Sequence, residues 1–242
     1  MSFIKDIINF ILPPRCYMCE KVLDEDKGIC DECISKIEFL NKTVCYKCGA
    51  PLFEQESNEN KKILCGNCLR HKNKIMFRMI RSAFLYDEFS KKLILDFKFY
   101  DKTDLAPFLA KMLYVAGKDV FAEGIDIIIP VPLHYTRLLK RRYNQSSLLA
   151  KELGNITNIE VDYKNLIKRK KTKAQVECNV NERLINLKDA FSLKYPEKLK
   201  GKKVLLIDDV LTTGSTLNEC AKAIKSAKPK SIYSLTLSRS IS

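Results

Sequence analysis

Asp208 and Asp209 stand side by side after an apolar run, Val204 to Ile207, and Val210-Leu211 leads from them into Thr212-Thr213-Gly214-Ser215-Thr216. Neighbouring carboxylates can hold the vicinal hydroxyls of a sugar. Hydroxyls and backbone N–H groups gathered around one glycine can wrap a phosphate. The helical pattern from Leu217 to Ala227 would add the positive end of a helix. The spacing therefore suits a sugar phosphate. The competing reading is a buried strand, a polar turn and a Ser/Thr helix cap. A Walker-type loop is excluded, because the chain contains no GxxxxGK[ST] run.

The elements that must position these groups follow from pattern. Val204 to Ile207 and Val210 have the aliphatic character of a buried parallel strand. The carboxylates are then expected at its carboxyl end, where open α/β sheets bind ligands. Residues 79–86 and Asp126 to Val131 read as further strands, the second closed by Pro130 and Pro132. Lys203 to Ile207 and Ser231 to Leu237 are the last strands, and Asn165 to Lys168 is a short candidate. Glu88 to Tyr100, Asp104 to Gly117 (with Asp104 as N-cap) and Gln145 to Leu153 (ending near Gly154) have helical periodicity. Residues 170–186 are polar and without period, the pattern of a long loop. Strands alternating with helices imply an α/β fold with a doubly wound, mainly parallel sheet.

Ten cysteines are present, and eight form four CxxC pairs: Cys16/Cys19, Cys30/Cys33, Cys45/Cys48 and Cys65/Cys68. Two such knuckles supply four thiolates to one tetrahedral ion. Four pairs point to two structural zinc ions. Sequential pairing gives one ion to Cys16, Cys19, Cys30 and Cys33 and the other to Cys45, Cys48, Cys65 and Cys68; crossed pairing stays open at this level. Disulfides are the rival reading, and they need an oxidising compartment for which no export signal speaks. Closed four-thiolate sites leave no open position for catalysis. Their work is folding, since about 70 residues have little core otherwise. His71 beside Cys68 reads as a surface residue. Cys178 and Cys220 are unpaired, with Cys220 expected to pack in the helix after the phosphate loop.

The formal charge is +14, and it is not evenly spread. Residues 1–75 carry 12 Lys/Arg against 11 Asp/Glu, whereas residues 76–242 carry 31 against 18. The division matches two domains, a cysteine-rich unit at 1–75 and a basic α/β unit at 76–242. Arg137, Lys140, Arg141 and Arg142 form one basic cluster, Lys168 to Lys171 with Lys173 another, and Lys198 to Lys203 a third. Such a field attracts nucleic acid or polyphosphate, or else is a solvated lysine-rich surface. There is no 18-residue apolar run, so no transmembrane helix is expected and the location is read as cytoplasmic. Phe3 to Leu12 is apolar but holds Lys5 and Asp6 and has no cleavage site. It reads as an amphipathic helix that packs on the protein, a partner or a membrane surface.

The string from Val204 to Thr216 resembles the phosphoribosyl pyrophosphate signature of type I phosphoribosyltransferases. More of the chain then falls into order. The four CxxC pairs lead to Lys98-Phe99, then Pro130-Val131-Pro132-Leu133-His134, Arg137, and Arg142-Tyr143-Asn144-Gln145. Thr172 with Gln175 follows, then Arg183 through Asn186 to Ala190-Phe191, and the diaspartate loop. This ordered set resembles the ComF family, which joins a double zinc ribbon to a type I phosphoribosyltransferase-like domain, and it spans nearly the whole chain. Two departures are visible. The family usually has arginine-glycine-phenylalanine before Asn-Gln, where this chain has Arg141-Arg142-Tyr143, and a proline before the loop glutamine, where this chain has Ala174.

The resemblance implies a role in natural competence, in handling imported single-stranded DNA beside a helicase-like partner. It implies phosphoribosyl pyrophosphate and Mg²⁺ as ligands. Asp208 and Asp209 would bind the ribose hydroxyls, directly or through Mg²⁺-bound water. Thr212, Thr213, Gly214, Ser215 and Thr216 would hold the 5′-phosphate. Pro130, Val131, Pro132, Leu133 and His134 would form the pyrophosphate loop, with Arg137, Arg141 and Arg142 as cations. The loop bearing Lys173, Gln175 and Arg183 would close over the site. In a working enzyme, pyrophosphate leaves the ribose C1 as a nitrogen nucleophile attacks. No residue set for reading a nucleobase is evident. Three readings therefore stand: a competence factor that binds this ligand and single-stranded DNA with little or no turnover; an active salvage phosphoribosyltransferase; and a non-catalytic zinc-stapled adaptor for a helicase.

Overall fold

The computed structural model describes residues 13–24, 28–40, 43–52, 62–71, 75–99, 102–170 and 188–241. The N-terminal apolar segment, Thr172, Lys173, Gln175, Cys178 and Arg183 lie outside them. Among the described residues six strands occur in chain order: β1 (Met79–Leu85), β2 (Ile127–Pro130), β3 (Leu166–Lys168), β4 (Phe191–Leu193), β5 (Lys203–Leu211) and β6 (Ser231–Arg239). The helices are α1 (Asp31–Ile34), α2 (Gly66–Arg70), α3 (Glu88–Phe99), α4 (Ala106–Ala116), α5 (Lys118–Ala122), α6 (Tyr135–Arg141), α7 (Gln145–Thr157) and α8 (Ser215–Lys225). Strands β1, β6, β5 and β2, in that spatial order, form one all-parallel sheet, and β3 pairs with β4 as a separate antiparallel hairpin.

Period-two alternation sorts the sheet's side chains into two cores. Leu205, Ile207, Leu235 and Ile128 face one way, against Leu93, Ile94 and Phe97 of α3, Leu109 and Leu113 of α4, and Leu149 and Leu153 of α7. Val204, Leu206, Ile127 and Ile129 face the other way, against Leu217, Cys220, Ala221 and Ile224 of α8 and Leu166 and Phe191 of the hairpin. Both faces are covered, so the strands read as unbroken apolar runs. The expected doubly wound sheet is present.

Several boundaries differ from the sequence reading. Asp104 does not cap α4; it lies in a 3-10 turn, Thr103–Leu105, that precedes the helix. Helix α7 runs past Gly154 to Thr157 and stops at Asn158, whose φ of 57° is a left-handed cap that asparagine tolerates. Strand β4 and helix α6 carried too few residues to show a period. Strand β5 runs to Leu211, so Asp208 and Asp209 lie within it rather than beyond its end.

The cysteine knuckles are fastened to the exposed edge of β1. Leu40 N–H donates to the Ala83 carbonyl and Leu85 N–H to Glu38, both at 2.9 Å, with Phe39 bridged antiparallel to Phe84. Further along, Ile80 N–H donates to the Lys47 carbonyl at 2.9 Å. An unpaired parallel edge is thereby closed. The buried Arg81 guanidinium donates to the carbonyls of Tyr46 (3.0 Å) and Ile80 (2.7 Å) and pairs with Asp119 of α5 at 2.7 Å. Lys92 of α3 donates to the Met18 carbonyl in the first knuckle.

Candidate sugar-phosphate cleft and metal centres

Strand β2 reaches only as far as Ile207 on β5: Pro130 is the register partner of Ile207, and Val131 N–H donates to its carbonyl at 2.9 Å. On the other side β6 continues, pairing with Asp208, Val210 and Leu211. From Asp208 onward, β5 therefore has a neighbour strand on one side only. A cleft of about 640 Å³ opens there. Open α/β sheets bind ligands in crevices of this kind, at the carboxyl ends of their strands.

Successive side chains of a strand point to opposite faces, and the two aspartates obey this. Asp209 meets α3: its Oδ2 lies 2.9 Å from Lys98 Nζ, and both side chains are largely buried. Asp208 turns the other way. Its Oδ1 accepts from Ser146 Oγ at 3.2 Å and from the Asp209 N–H at 2.9 Å. Burial pushes the Asp208 carboxyl up to about 7, and the charge of Asp209 adds to the push. The Asp209 N–H, Lys98 and Ser146 pull the other way. The site thus holds one ion-paired and one proton-hungry carboxyl.

The segment Tyr143–Ser146 ties the walls together. Tyr143 Oη donates to the Phe97 carbonyl at 2.9 Å, and Gln145 Nε2 to the Lys98 carbonyl at 3.0 Å. Asn144 Nδ2 donates to the Val131 carbonyl at 3.0 Å, while its Oδ1 caps α7 by accepting from Ser146 N–H at 3.1 Å. Four consecutive side chains thus hold the end of α3, the loop after β2 and Asp208 in one frame. Ser146 and Gln145 were not expected in this role. A hydroxyl one residue into a helix looks like a cap, and nothing local says which strand faces it.

Of the expected site residues, Val131, Pro132, Leu133, Arg142, Asp208, Asp209 and Thr216 line the cleft, joined by Lys98, Arg137, Arg141 and Lys168. Arg141 lies over the Phe99 ring at 4.7 Å. Pro130 is the last residue of β2, and His134 is buried as the N-cap of α6, with Nδ1 2.9 Å from Thr136 Oγ1. The hydroxyl loop turns at Gly214, whose φ of 74° is a left-handed value that favours glycine. Thr213 Oγ1 and Ser215 Oγ are 2.8 Å apart, and Ser215 and Thr216 form the first turn of α8 rather than loop. Thr212 and Thr213 are exposed beside it. Arg142 adopts φ 64°, the angle that glycine favours, at the position where the ComF pattern has glycine.

The eight CxxC sulfurs form two four-thiol clusters in the sequential pairing, Cys16/19/30/33 and Cys45/48/65/68, each with its ligand atoms within 4.8 Å of one another. The Cys19–Cys30 and Cys48–Cys65 sulfurs are 3.7 and 3.6 Å apart. A tetrahedron of about 2.3 Å Zn–S bonds has edges of about 3.8 Å. Backbone N–H groups point at the sulfurs: Met18 and Cys30 at Cys16 (3.4 Å each), and Cys65 at Cys45 (3.3 Å). Such bonds favour thiolates, and the donor sets fit two structural zinc ions. His71 is exposed, and Cys220 is buried in α8, as expected. A larger groove of about 880 Å³ lies elsewhere, between the first knuckle and α4. Among the described residues no helix is long and apolar enough to cross a membrane.

Comparison with known proteins finds a family match in each part of the chain. Residues 7–69 match the family described as double zinc ribbon domain, and residues 120–241 match the phosphoribosyl transferase domain. Competence protein F of Haemophilus influenzae is 34% identical over 87% of this chain and 90% of its own length. The DNA utilization protein YhgH of Shigella flexneri is 31% identical over 88% of this chain and 91% of its own. Competence protein ComFC of Bacillus subtilis is 27% identical over 90% and 87%. The chain is a member of the ComF family, a double zinc ribbon joined to a phosphoribosyltransferase domain.

Proposed function

We propose that this protein binds phosphoribosyl pyrophosphate with Mg²⁺ in the β5 cleft and acts in natural competence, handling imported single-stranded DNA. The observation that supports the ligand best is the diaspartate at the half-open edge of β5, with Thr216 at a helix N-terminus beside it and a wall of cations opposite. In this reading Asp208 and Asp209 take the ribose hydroxyls, and residues 212–216 take the 5′-phosphate. Residues 130–134, with Arg137, Arg141 and Arg142, face the pyrophosphate. Mg²⁺ would be held beside Asp208 and Asp209, directly or through water, and would supply positive charge to offset the phosphates. Arg183, outside the described residues, is kept as a candidate contact to the ligand. The unit that folds around zinc is taken as residues 1–75, and the phosphoribosyltransferase unit as 76–242.

Single-stranded DNA is supported by charge and exposure. Residues 131–146 contain no Asp or Glu, and Tyr135, Leu139 and Phe99 are exposed beside Arg141 and Arg142. Aromatic faces interleaved with arginine suit stacked bases and a phosphate backbone. The competence role follows the names of the relatives.

The test is calorimetric titration of the zinc-loaded protein with phosphoribosyl pyrophosphate and Mg²⁺, with Asp208→Asn/Asp209→Asn as control. Saturable binding that the double variant loses supports the site; absence of binding to the wild type removes it. DNA affinity that falls steeply with salt supports the basic surface, and a flat salt response counts against it.

A further inference from the structure

Lys168 has no counterpart in the roles assigned above. It sits on β3, in the hairpin that folds over α8, and its side chain is half-buried and lines the cleft. Its Nζ rests 5.3 Å from the centre of the Phe191 ring, on the register partner across the hairpin. The ring holds the ammonium in place through its π face. The charged and titratable groups that face Lys168 are Arg137 (α6), Asp208 (β5) and Cys220 (α8). Among the described residues, no carboxylate lies within ion-pair distance of it. A lysine drawn out of water, placed near an arginine and without an ion pair among the described residues is costly in the protein by itself. An anion in the cleft removes that cost.

We propose that Lys168 is a ligand-contacting residue that works with Arg137 to grip a phosphoryl group beside the diaspartate. The proposal rests on the reading of the cleft as a phosphoribosyl pyrophosphate site. It extends that reading from the loops that carry the sequence signature to a residue on the hairpin, on the other side of the cleft. The ligand class becomes a sugar carrying two separate phosphoryl groups, one on residues 212–216 and one between α6 and β3. Phe191 positions the ammonium without consuming its charge, as a carboxylate partner would. The ammonium keeps its hydrogen-bond donors for phosphate oxygens.

The chemistry makes the contact testable by pH. Burial, then the neighbouring Arg137, holds the Lys168 ammonium down at about 8, with Cys220 and Asp208 opposing. Anion affinity through this residue is present below that value and lost above it. Binding of phosphoribosyl pyrophosphate with Mg²⁺ to the zinc-loaded protein is measured by calorimetry from pH 7.5 to 9.5, and the slope is read from pH 8 upward, where Asp208, at about 7, is already ionised. The wild type is expected to weaken by about tenfold per pH unit above 8. Lys168→Arg, which stays charged throughout, is expected to bind at pH 7.5 and to lose the slope. Lys168→Gln is expected to be weaker by roughly 10- to 100-fold at pH 7.5, also without the slope.

Parallel titrations with Mg²⁺-pyrophosphate and with ribose 5-phosphate locate the contact. Whichever arm carries the Lys168-dependent slope identifies the phosphoryl group, and either supports the proposal. A wild type without a slope, or a slope that survives in Lys168→Arg, overturns it while leaving the cleft assignment standing. Failure of the wild type to bind phosphoribosyl pyrophosphate at any pH, with zinc content confirmed, overturns the cleft assignment and the proposal with it. Thermal melts of both variants separate lost contact from lost fold.

Discussion

Arg239 donates Nη1–H to the carbonyl of Cys48 at 2.5 Å, joining the last residue of β6 to a zinc knuckle. Arg239 is also the register partner of Leu211, the residue before the hydroxyl loop. The second four-cysteine cluster and the hydroxyl loop therefore share one rung of the sheet. Gly49, next to Cys48, completes the junction. Its φ is 69°, and a Cβ there would lie 2.5 Å from the Ile80 carbonyl oxygen, so nothing larger than glycine fits without moving backbone.

Stripping zinc should lower the melting temperature of the whole protein, not only of the cysteine-rich unit. Arg239→Gln should cost about 1–2 kcal/mol, because it leaves a carbonyl at a half-buried junction short of a charged donor. Gly49→Ala should cost more than the roughly 1–2 kcal/mol of a left-handed alanine. Calorimetric melts with and without chelator check all three. An unchanged main transition after chelation would show that the two units unfold independently.

The Lys98–Asp209 pair is enclosed, so removing one partner strands a charge. Lys98→Met should destabilise by about 3 kcal/mol, and adding Asp209→Asn should recover most of that loss. A double-mutant cycle by urea unfolding gives the coupling. A cycle that closes near zero would mean that solvent already screens the pair.

Asp208 makes stability fall as pH rises. Its folded value of about 7 exceeds the ordinary carboxylate value, so between about pH 4 and 7 the native state holds a proton that the unfolded chain has released. The wild type is penalised above pH 7 by a few kcal/mol at most, and not at all near pH 4. Asp208→Asn should therefore stabilise much more at pH 8 than at pH 4.5. Urea titrations at the two pH values measure this. Equal effects at both would refute the assignment of the proton to Asp208.

Arg142 occupies a left-handed backbone position, and its exposed side chain lines the cleft. Arg142→Gly should stabilise by about 1 kcal/mol and weaken phosphoribosyl pyrophosphate binding by about two- to tenfold. Loss of stability would mean that the guanidinium holds α6 in place instead.

Much of this protein is written locally. Four CxxC pairs state their chemistry by spacing alone, because two knuckles closing on one ion need few contacts from elsewhere. The apolar run Val204–Ile207 and the residues around Gly214 likewise announce a strand and a turn into a helix from consecutive residues. Local pattern also places α3 and α4 to within a few residues, because each buries one face. What it could not supply is partnership across the chain. Adjacency makes Asp208 and Asp209 look equivalent. Only the pleat of β5 sends one to Lys98 and the other to Ser146, more than 60 residues away. The extent of β5 is set by β6 rather than by its own sequence. The short β4 and α6 are too brief to carry a period, yet they bring Phe191 beneath Lys168 and Arg137 beside it. Residue types and spacing determined which chemistry this chain can do; the pleat, the ending of β2 and the folding of the hairpin decided which groups do it, because burial and charge pairing arise only between segments that meet in space.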